Sequence, residues 1–335
     1  METLGIGFLG CGEMARLHAR CLKQIPGVNL IAAYDQRSAA GRAFGEEFKC
    51  SVAHSAEALL ARPDIDTVYI CTWHDSHAAL TEQCIKSGKR RIFCEKPMAL
   101  TMADARRVRE LVCAERVQFM MGFNHRFTPA VVKLKELLEA GRLRPKILSI
   151  TFACAPFMDT WAGHPEQGGI LASLGSHAFD LVRWIVSDEV VEVACFTERM
   201  RLGQGQAEDS AVATLRFRNG AMATCALHDQ APARYSVAPG RNMVRIEVFG
   251  SEGVIVCRGL DGLELMLDDR SEQIACDPYD ELRSWGYLDE NRFFVQAILS
   301  EAHPSPNEED GLKAVELVEA ARLASAERRV VGTRC

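Results

Sequence analysis

The hydrophobic pattern changes its period within the stretch from Gly5 to Leu17. The first part is a short apolar run typical of a buried strand, and from Met14 onward the apolar positions recur at helical spacing. Three small residues stand where the two patterns meet: Gly10, Gly12 and Ala15. The stretch therefore predicts a buried strand, a sharp turn and an amphipathic helix.

Strand and helix patterns then alternate over the first third of the chain. Apolar runs end at Tyr34, Thr72, Cys94 and Met121, and amphipathic segments separate them. Such alternation predicts an α/β domain with a doubly wound parallel sheet, whose ligands bind at the carboxyl ends of the strands. We assign residues 1–123 to this domain.

Residues 124–335 have a different pattern, in which strands predominate. Strands are predicted at 146–155, 190–197, 211–217, 221–227, 244–249 and 254–257, with a helix over 171–186 and two closing helices. Asn219-Gly220 predicts a type I′ hairpin between two of the strands. We expect an α+β domain with an open, mainly antiparallel sheet, whose uncovered face favours dimerisation.

Whole-chain properties narrow the function. The chain has 335 residues, 48% of them hydrophobic and 25% charged, with a net charge of −6. This charge argues against a nucleic-acid partner, and the absence of a long apolar run argues against a membrane span, so a cytoplasmic location is expected. The thirteen cysteines have no C-x-x-C pair and are expected to be reduced, with Cys335 prone to oxidation. The polar segment 204–208 is predicted to be a loop.

The glycine turn has the spacing of the dinucleotide fingerprint, G-x-G-x-x-A. Gly10 permits the tight turn, Gly12 lets the backbone approach a pyrophosphate, and Ala15 keeps the helix close to the sheet. A ligand-free βα turn uses the same residues, but Asp35 follows at the distance where a carboxylate binds the adenosine ribose. Asp35 favours NAD over NADP, whereas Arg37 could instead bind a 2′-phosphate.

Two sets of residues are candidates for acid–base chemistry. Lys96 follows a predicted parallel strand, where a partly desolvated amine can exchange a proton, although a lone lysine is more often a solvated surface charge. His177 and Asp180 lie three residues apart on the helix predicted over 171–186, with Ser173 one turn earlier. An imidazole suits a hydroxyl that loses its proton, and a core histidine bonded to its neighbouring acid is the alternative.

Other polar residues near predicted strand ends each have two possible roles. His74 and His77 could contact a cofactor or cap a helix, and Asn124 and Arg126 could order the domain junction or bind substrate. A metal site built from His164, His177, Asp180 and His228 lacks any tight ligand spacing, so no metal is expected.

Several motifs, in their order and spacing, resemble the glucose-fructose oxidoreductase/inositol dehydrogenase/MocA-like family over essentially the whole chain. They are Gly10-Cys-Gly-Glu-Met-Ala15 with His18, Thr72–His77, Glu95-Lys96-Pro97, Gly122-Phe-Asn-His-Arg126-Phe, and Gly168-Gly169 with Gly175-Ser-His177-Ala-Phe-Asp180. The resemblance implies a nicotinamide-dependent dehydrogenase acting on a sugar, sugar derivative or cyclitol. Residues 1–123 would then be an NAD(P)-binding Rossmann domain, and residues 124–335 a domain for substrate binding and oligomerisation, with dimers or tetramers built on the C-terminal sheet.

The resemblance also implies roles for individual residues. Lys96, His177 and Asp180 are the expected catalytic residues, and Lys96, Arg126, Ser173 and His177 are expected to bind substrate. Cofactor contacts are expected from Gly10, Cys11, Gly12, Glu13, Met14, Asp35, Arg37, Thr72, Trp73, His77, Glu95, Lys96 and Asn124.

Two positions depart from the pattern of the family. Trp73 replaces a usual proline, and Ser173 stands where the family often has an aspartate. A serine hydroxyl neither takes a proton at neutral pH nor stabilises a charged imidazole. Two alternatives to a dehydrogenase therefore stay open: an enzyme that retains NAD and oxidises its substrate transiently during elimination or glycoside cleavage, and a non-catalytic dinucleotide sensor.

Overall fold

A computed structural model of the chain describes residues 3–201, 206–232, 242–258, 262–277 and 280–333. Two compact units divide the chain: the first runs to Asn124 and includes Gly286–Leu312, and the second contains His125–Trp285 and the residues from Lys313 onward. Part of the predicted loop at 204–208 and Cys335 lie outside the described residues.

A six-stranded parallel sheet forms the centre of the first unit, as predicted. Its strands are β1 (Leu4–Leu9), β2 (Val28–Tyr34), β3 (Ser51–Val52), β4 (Thr67–Ile70), β5 (Arg91–Glu95) and β6 (Gln118–Gly122), in the order β3-β2-β1-β4-β5-β6. β1 is buried at all six positions, because strands of a parallel sheet are covered on both faces. The order reverses beside β1, and this is where a doubly wound sheet opens a ligand crevice.

Helices connect these strands. They are α1 (Glu13–Leu22), α2 (Ser38–Phe48), α3 (Ala56–Leu60), α4 (His77–Lys86) and α5 (Met102–Ala114). α5 begins where the side chain of Thr101 accepts a hydrogen bond from the backbone N–H of Asp104, an arrangement typical of an N-cap.

A later segment of the chain completes the first unit. α9 (Tyr287–Leu299) packs on α1, and the backbone N–H of Met121 donates to the carbonyl of Pro306 at 3.0 Å. The side-chain amide of Gln118 donates to two further carbonyls, those of Ala297 and Ala302. The domain boundary predicted at residue 123 would place Gly286–Leu312 in the second domain. In the structure this segment packs against α1 and β6.

Aromatic side chains form the core on one face of the parallel sheet. The ring of Tyr69 stacks on that of Phe93 at a centroid distance of 4.7 Å, and both rings contact Phe294 of α9. Phe8 of β1 continues the cluster, 5.2 Å from Tyr69. All four rings are fully buried, so α9 supplies part of the same hydrophobic core as the strands.

The second unit is built on a nine-stranded sheet with the order β14-β13-β12-β11-β7-β10-β9-β8-β15. The strands are β7 (Ile147–Cys154), β8 (Val190–Glu198), β9 (Ser210–Phe217), β10 (Met222–His228), β11 (Asn242–Phe249), β12 (Gly253–Arg258), β13 (Gly262–Leu267), β14 (Ser271–Ala275) and β15 (Val331–Gly332). β7 and β10 pair in parallel and the other pairs are antiparallel. The predicted mainly antiparallel sheet is confirmed.

The hairpin at Asn219-Gly220 is confirmed, but its predicted turn type is wrong. A type I′ turn needs positive φ at both central residues, and here Gly220 has φ +88° while Asn219 is not among the residues with positive φ. The N–H of Gly220 donates to the carbonyl of Phe217, and the N–H of Phe217 donates to Ala221. The loop is therefore a three-residue turn closed by glycine. β13, β14 and β15 were not predicted: β14 and β15 are short strands at the two edges of the sheet, and β13 is a six-residue strand beside β14.

Four helices include residues of the second unit. They are α6 (Pro129–Glu139), α7 (Ser176–Val186), α8 (Glu281–Ser284) and α10 (Glu308–Glu327), whose first residues belong to the first unit. A π-helical turn, Leu171–Gly175, leads directly into α7. Its hydrogen bonds span five residues, so the α-helical spacing that predicts a shared face for Ser173 and His177 does not apply there.

The cysteines of the described ranges form no disulfide, and most are buried as small apolar side chains. In those ranges no helix is long and apolar enough to cross a membrane. Among the same residues, no cluster of His, Cys, Asp or Glu side chains could hold a metal ion.

One buried carboxyl group stands out in the first unit. Glu290 of α9 is fully buried, and neither of its carboxyl oxygens has a hydrogen-bond partner among the described residues. Burial, together with the nearby charge of Glu95, raises the pKa of Glu290 well above its ordinary value of 4.5. Glu290 is therefore a neutral acid in the folded protein.

We predict that Glu290→Gln stabilises the protein at neutral and higher pH. At these pH values the protein must take up a proton at Glu290 when it folds, because this carboxyl is ionised in the unfolded chain and neutral in the folded protein. This contribution lowers stability progressively above pH 4.5, by at most about 1.4 kcal/mol per pH unit. Thermal unfolding from pH 5 to 8 should show a Tm advantage of the variant that grows with pH. Glu110→Gln, at an exposed position of α5, is the control, and a pH-independent difference for Glu290→Gln contradicts the prediction.

Candidate active site

The glycine turn after β1 has the geometry that the sequence predicts. Gly10 has φ +90°, and a Cβ there would lie 2.5 Å from the carbonyl oxygen of Cys71, so only glycine fits. A Cβ on Gly12 would meet nothing within 4 Å, which leaves space beside the start of α1. Ala15 is fully buried. Backbone N–H groups at the N-terminus of α1 therefore face an open space suited to phosphate.

Asp35 at the end of β2 is tied to the same turn. One carboxylate oxygen accepts the backbone N–H of Cys11 at 2.9 Å, and the other accepts the N–H of Arg37 at 2.8 Å. The Arg37 guanidinium is mostly exposed and lies 3.6 Å from Asp35. Glu13 is exposed and Met14 half-buried at the first turn of α1. The predicted ribose carboxylate thus also fixes the phosphate-binding turn.

The turn after β4 is held by side-chain hydrogen bonds. The hydroxyls of Thr72 and Ser76 lie 2.6 Å apart, and the indole of Trp73 is 41% exposed. His77 is fully buried, with Nδ1 2.8 Å from the carbonyl of Pro97 and Nε2 3.1 Å from that of Thr72. His77 therefore joins the turns that follow β4 and β5, and burial lowers its pKa.

Glu95, the last residue of β5, points into the core of the first unit. One carboxylate oxygen lies 2.8 Å from Nε2 of His18, which is completely buried on α1. The other oxygen accepts the backbone N–H of Lys96 at 3.1 Å. Burial raises the pKa of Glu95, but the hydrogen bond from His18 and the positive charge of Lys96 lower it overall. Glu95 is therefore a buried carboxylate.

Lys96 directly follows this carboxylate and is half-buried. Burial lowers the pKa of Lys96, and the negative charge of Glu95 opposes this effect. A lysine with a lowered pKa exchanges protons more readily near neutral pH than an exposed one does. Asn124, in the turn after β6, is almost fully buried.

In the second unit, Asp180 on α7 pairs with Arg126. The Nε of Arg126 donates to one carboxylate oxygen at 2.8 Å, and a terminal nitrogen donates to the other. Both side chains are buried, and the guanidinium also lies 5.9 Å from the ring of Trp184. A planar guanidinium fits a carboxylate with two parallel hydrogen bonds, so the pair holds Arg126 in a defined orientation.

His177 lies one turn before Asp180 on α7 and is buried among aromatic rings. Its ring centroid is 4.8 Å from that of His125, with the planes at 83°, and 6.3 Å from the parallel ring of Phe152. The ring of Trp285 lies 6.0 Å from that of His125. Ser173, in the preceding π-helical turn, is also buried. His177 is thus placed in an aromatic pocket of the second unit.

These residues fit a nicotinamide dinucleotide in the first unit. Gly10, Gly12 and the N-terminus of α1 would hold the pyrophosphate, and Asp35 would bind the adenosine ribose. The open space at Gly12 and the turn-to-Asp35 hydrogen bond are the structural features that match it. When bound, such a cofactor accepts or returns a hydride.

Three buried residues were not predicted to have a role from the sequence. They are His18 and His125, which lie within the motifs quoted above, and Asn291, which lies in none of them. Asn291 lies 273 residues from its partner His18 in the sequence, so no local pattern connects them. One signal was available for His18: it is a polar residue in a buried position of the amphipathic helix α1.

Comparison with protein families places both halves of the chain. Residues 4–123 match the model of an oxidoreductase family with an NAD-binding Rossmann fold, and residues 131–256 match the GFO/IDH/MocA C-terminal domain.

Individual proteins match over the whole length. The chain is 32% identical to a myo-inositol 2-dehydrogenase of Thermotoga maritima, covering 97% of each chain, and 30% identical to an inositol 2-dehydrogenase of Rhizobium meliloti, covering 98% of this chain and 99% of the relative. The crystal structure of GenD2 from gentamicin A biosynthesis in complex with NAD superposes with a TM-score of 0.88 at 25% identity, over 100% of this chain and 97% of that one.

The match over residues 4–123 defines an oxidoreductase with an NAD-binding Rossmann fold. The chain belongs to the GFO/IDH/MocA family of oxidoreductases. The resemblance inferred from the motifs is therefore confirmed.

Proposed function

We propose that this protein is a dehydrogenase that transfers a hydride between a nicotinamide cofactor and a secondary hydroxyl, or the corresponding ketone, of a sugar, sugar derivative or cyclitol. The observation that carries this proposal is the placement of Lys96, half-buried with a lowered pKa, at the same sheet edge as the glycine turn. Full-length similarity to two inositol 2-dehydrogenases supports the substrate class.

The protein supplies the proton chemistry that accompanies hydride transfer. A substrate hydroxyl must lose its proton as its carbon is oxidised, and the ketone must gain one in the reverse direction. We assign these acid–base roles to Lys96 and His177. An imidazole changes its charge near neutral pH, and the aromatic rings around His177 exclude water from it.

Substrate binding uses Arg126, Ser173, Lys96 and His177. The Arg126 guanidinium is a multiple hydrogen-bond donor whose plane Asp180 fixes, so Asp180 acts through Arg126 as well as lying one helical turn from His177. The small hydroxyl of Ser173 offers a neutral hydrogen-bonding group where relatives often have a carboxylate.

NAD is proposed as the cofactor in preference to NADP. The Asp35 carboxylate at the ribose position would repel a 2′-phosphate, and its orientation is fixed by the N–H groups of Cys11 and Arg37. The same proposal includes contacts with the cofactor from Glu13, Met14, Thr72, Trp73, His77 and Asn124. A reducing, cytoplasmic location is proposed as well, since the described cysteines form no disulfide.

A panel of inositols and sugars tests the function. With NAD, at least one compound should produce reduced cofactor, measured by its absorbance, and NADP should bind more weakly in direct titrations. Product formation without net reduction would instead identify an enzyme that retains its cofactor, and binding of NAD with neither outcome would identify a sensor. Either of those results contradicts the dehydrogenase proposal.

Substitutions at Lys96 and His177 test the acid–base roles. Lys96→Ala should lower turnover by about 10²- to 10⁴-fold while NAD binding is retained. His177→Ala should remove the basic limb of the pH–rate profile. Exposed residues provide controls, Lys86→Ala for the lysine and His54→Ala for the histidine, which should leave turnover unchanged. Normal turnover for Lys96→Ala, or a wild-type pH profile for His177→Ala, overturns the corresponding role.

A homodimer or homotetramer built on the nine-stranded sheet is also proposed. Apolar side chains are exposed on neighbouring strands of this sheet, with Phe196 73% exposed and Val212, its register partner, 55% exposed. Phe196→Asp should reduce the molar mass measured by light scattering. Leu299→Asp, at an exposed apolar position of α9, is the control and should not. A monomeric wild-type protein contradicts this assembly.

A further inference from the structure

A chain of hydrogen bonds in the first unit leads from the interior of α9 to Lys96. It begins at Asn291, whose side-chain nitrogen lies 2.8 Å from the carbonyl oxygen of Tyr287. A carbonyl can only accept, so this contact fixes which end of the amide carries the N–H groups. The amide oxygen accordingly accepts the hydroxyl of Tyr69 at 3.0 Å, and burial raises the pKa of this phenol well above 10.0, so it remains a donor.

The orientation of Asn291 determines the tautomer of His18. The second N–H of the amide points to Nδ1 of His18 at 2.9 Å, so Nδ1 must be an acceptor without a proton. The proton of the ring is then on Nε2, which donates to Glu95 at 2.8 Å. His18 is therefore a neutral donor, and the carboxylate of Glu95 retains its full negative charge.

The other titratable groups near Glu95 do not compensate this charge. For His77 on α4, burial lowers the pKa by more than the two carbonyl oxygens beside its ring nitrogens raise it. The thiols of Cys71 and Cys94 have pKa values raised by burial. Glu290 on α9 is a neutral acid. Lys96 is the remaining charged neighbour in the described part of this unit, and its pKa is raised by Glu95 against the lowering effect of burial.

We propose that Asn291, His18 and Glu95 form a positioning relay that keeps one negative charge beside Lys96 and thereby sets the pH range over which the Lys96 amine is charged. Asn291 and His18 act through Glu95, and none of the three is a catalytic residue. The importance of this relay for turnover rests on the proposed function, but the charge state of Lys96 does not.

The charge can be removed without changing the shape of the side chain. In Glu95→Gln the amide oxygen still accepts from His18, but the negative charge is lost. Glu95→Asp keeps the charge with a shorter reach. Glu290→Gln makes the same acid-to-amide change at the neighbouring buried carboxyl, which is already neutral, and is the matched control.

The charge state of Lys96 can be measured on the full chain without substrate or cofactor. The pH dependence of Lys96 acetylation by acetic anhydride, measured by mass spectrometry, reports the deprotonated amine. In Glu95→Gln the midpoint should fall by about one pH unit or more, because an opposite charge at short range favours the ammonium. Glu95→Asp and Glu290→Gln should keep a midpoint close to that of the wild type. An unchanged midpoint in Glu95→Gln overturns the proposal.

A second measurement on the wild-type chain does not depend on any variant at Glu95. Nitrogen-15 NMR of labelled histidine should show His18 as the neutral tautomer with its proton on Nε2 from pH 6 to 9, and His18→Gln identifies the signal. A doubly protonated ring overturns the relay, since the His18–Glu95 pair would then carry no net charge. If these results hold and no sugar or cyclitol is oxidised, the dehydrogenase proposal fails and the relay does not.

Discussion

The hydrogen bond between His18 and Glu95 is the interaction on which the first unit depends. It joins α1, which follows the glycine turn at Gly10, to β5, whose last residue directly precedes Lys96. Asn291 extends the connection to α9. Because all three side chains are buried, removal of any one of them leaves polar atoms in the core without a partner, and such atoms cost about 1–3 kcal/mol each. The glycine turn and Lys96 are thus positioned by the same buried hydrogen bond.

Buried charge imposes the second constraint. Glu95 and Glu290 are neighbouring carboxyl groups in one low-dielectric core, and both cannot ionise without strong repulsion. Hydrogen bonds decide between them: Glu95 has His18 and a backbone N–H, whereas Glu290 has no partner among the described residues. One becomes a carboxylate and the other a neutral acid. Pairs whose environments separate their pKa values in this way are common where proton chemistry is performed.

In the second unit, the residues around His177 limit the chemistry that this imidazole can perform. Ser173 cannot hold His177 charged as a carboxylate would, and its position in a π-helical turn alters the spacing between the two residues. Meanwhile Arg126 binds both oxygens of Asp180, and the ring of His125 lies beside His177. The polar environment of His177 therefore differs from what the local helix spacing alone suggests.

The sequence by itself determined the elements whose cause is local. Apolar periodicity predicted the parallel strands and α1, the glycine spacing predicted the turn at Gly10, and the motif order identified the family. These inferences succeed because strand period, helix period and turn conformation depend on residues close together in sequence.

Only the tertiary structure decided which distant residues meet. The partners of His18 lie 77 and 273 residues away, and the segment Gly286–Leu312 joins the first unit rather than the second. Periodicity shows that a residue is buried, but it does not show which polar group in the core will satisfy it. The type of the turn at Asn219-Gly220 likewise followed from the register of β9 with β10 and not from the dipeptide alone.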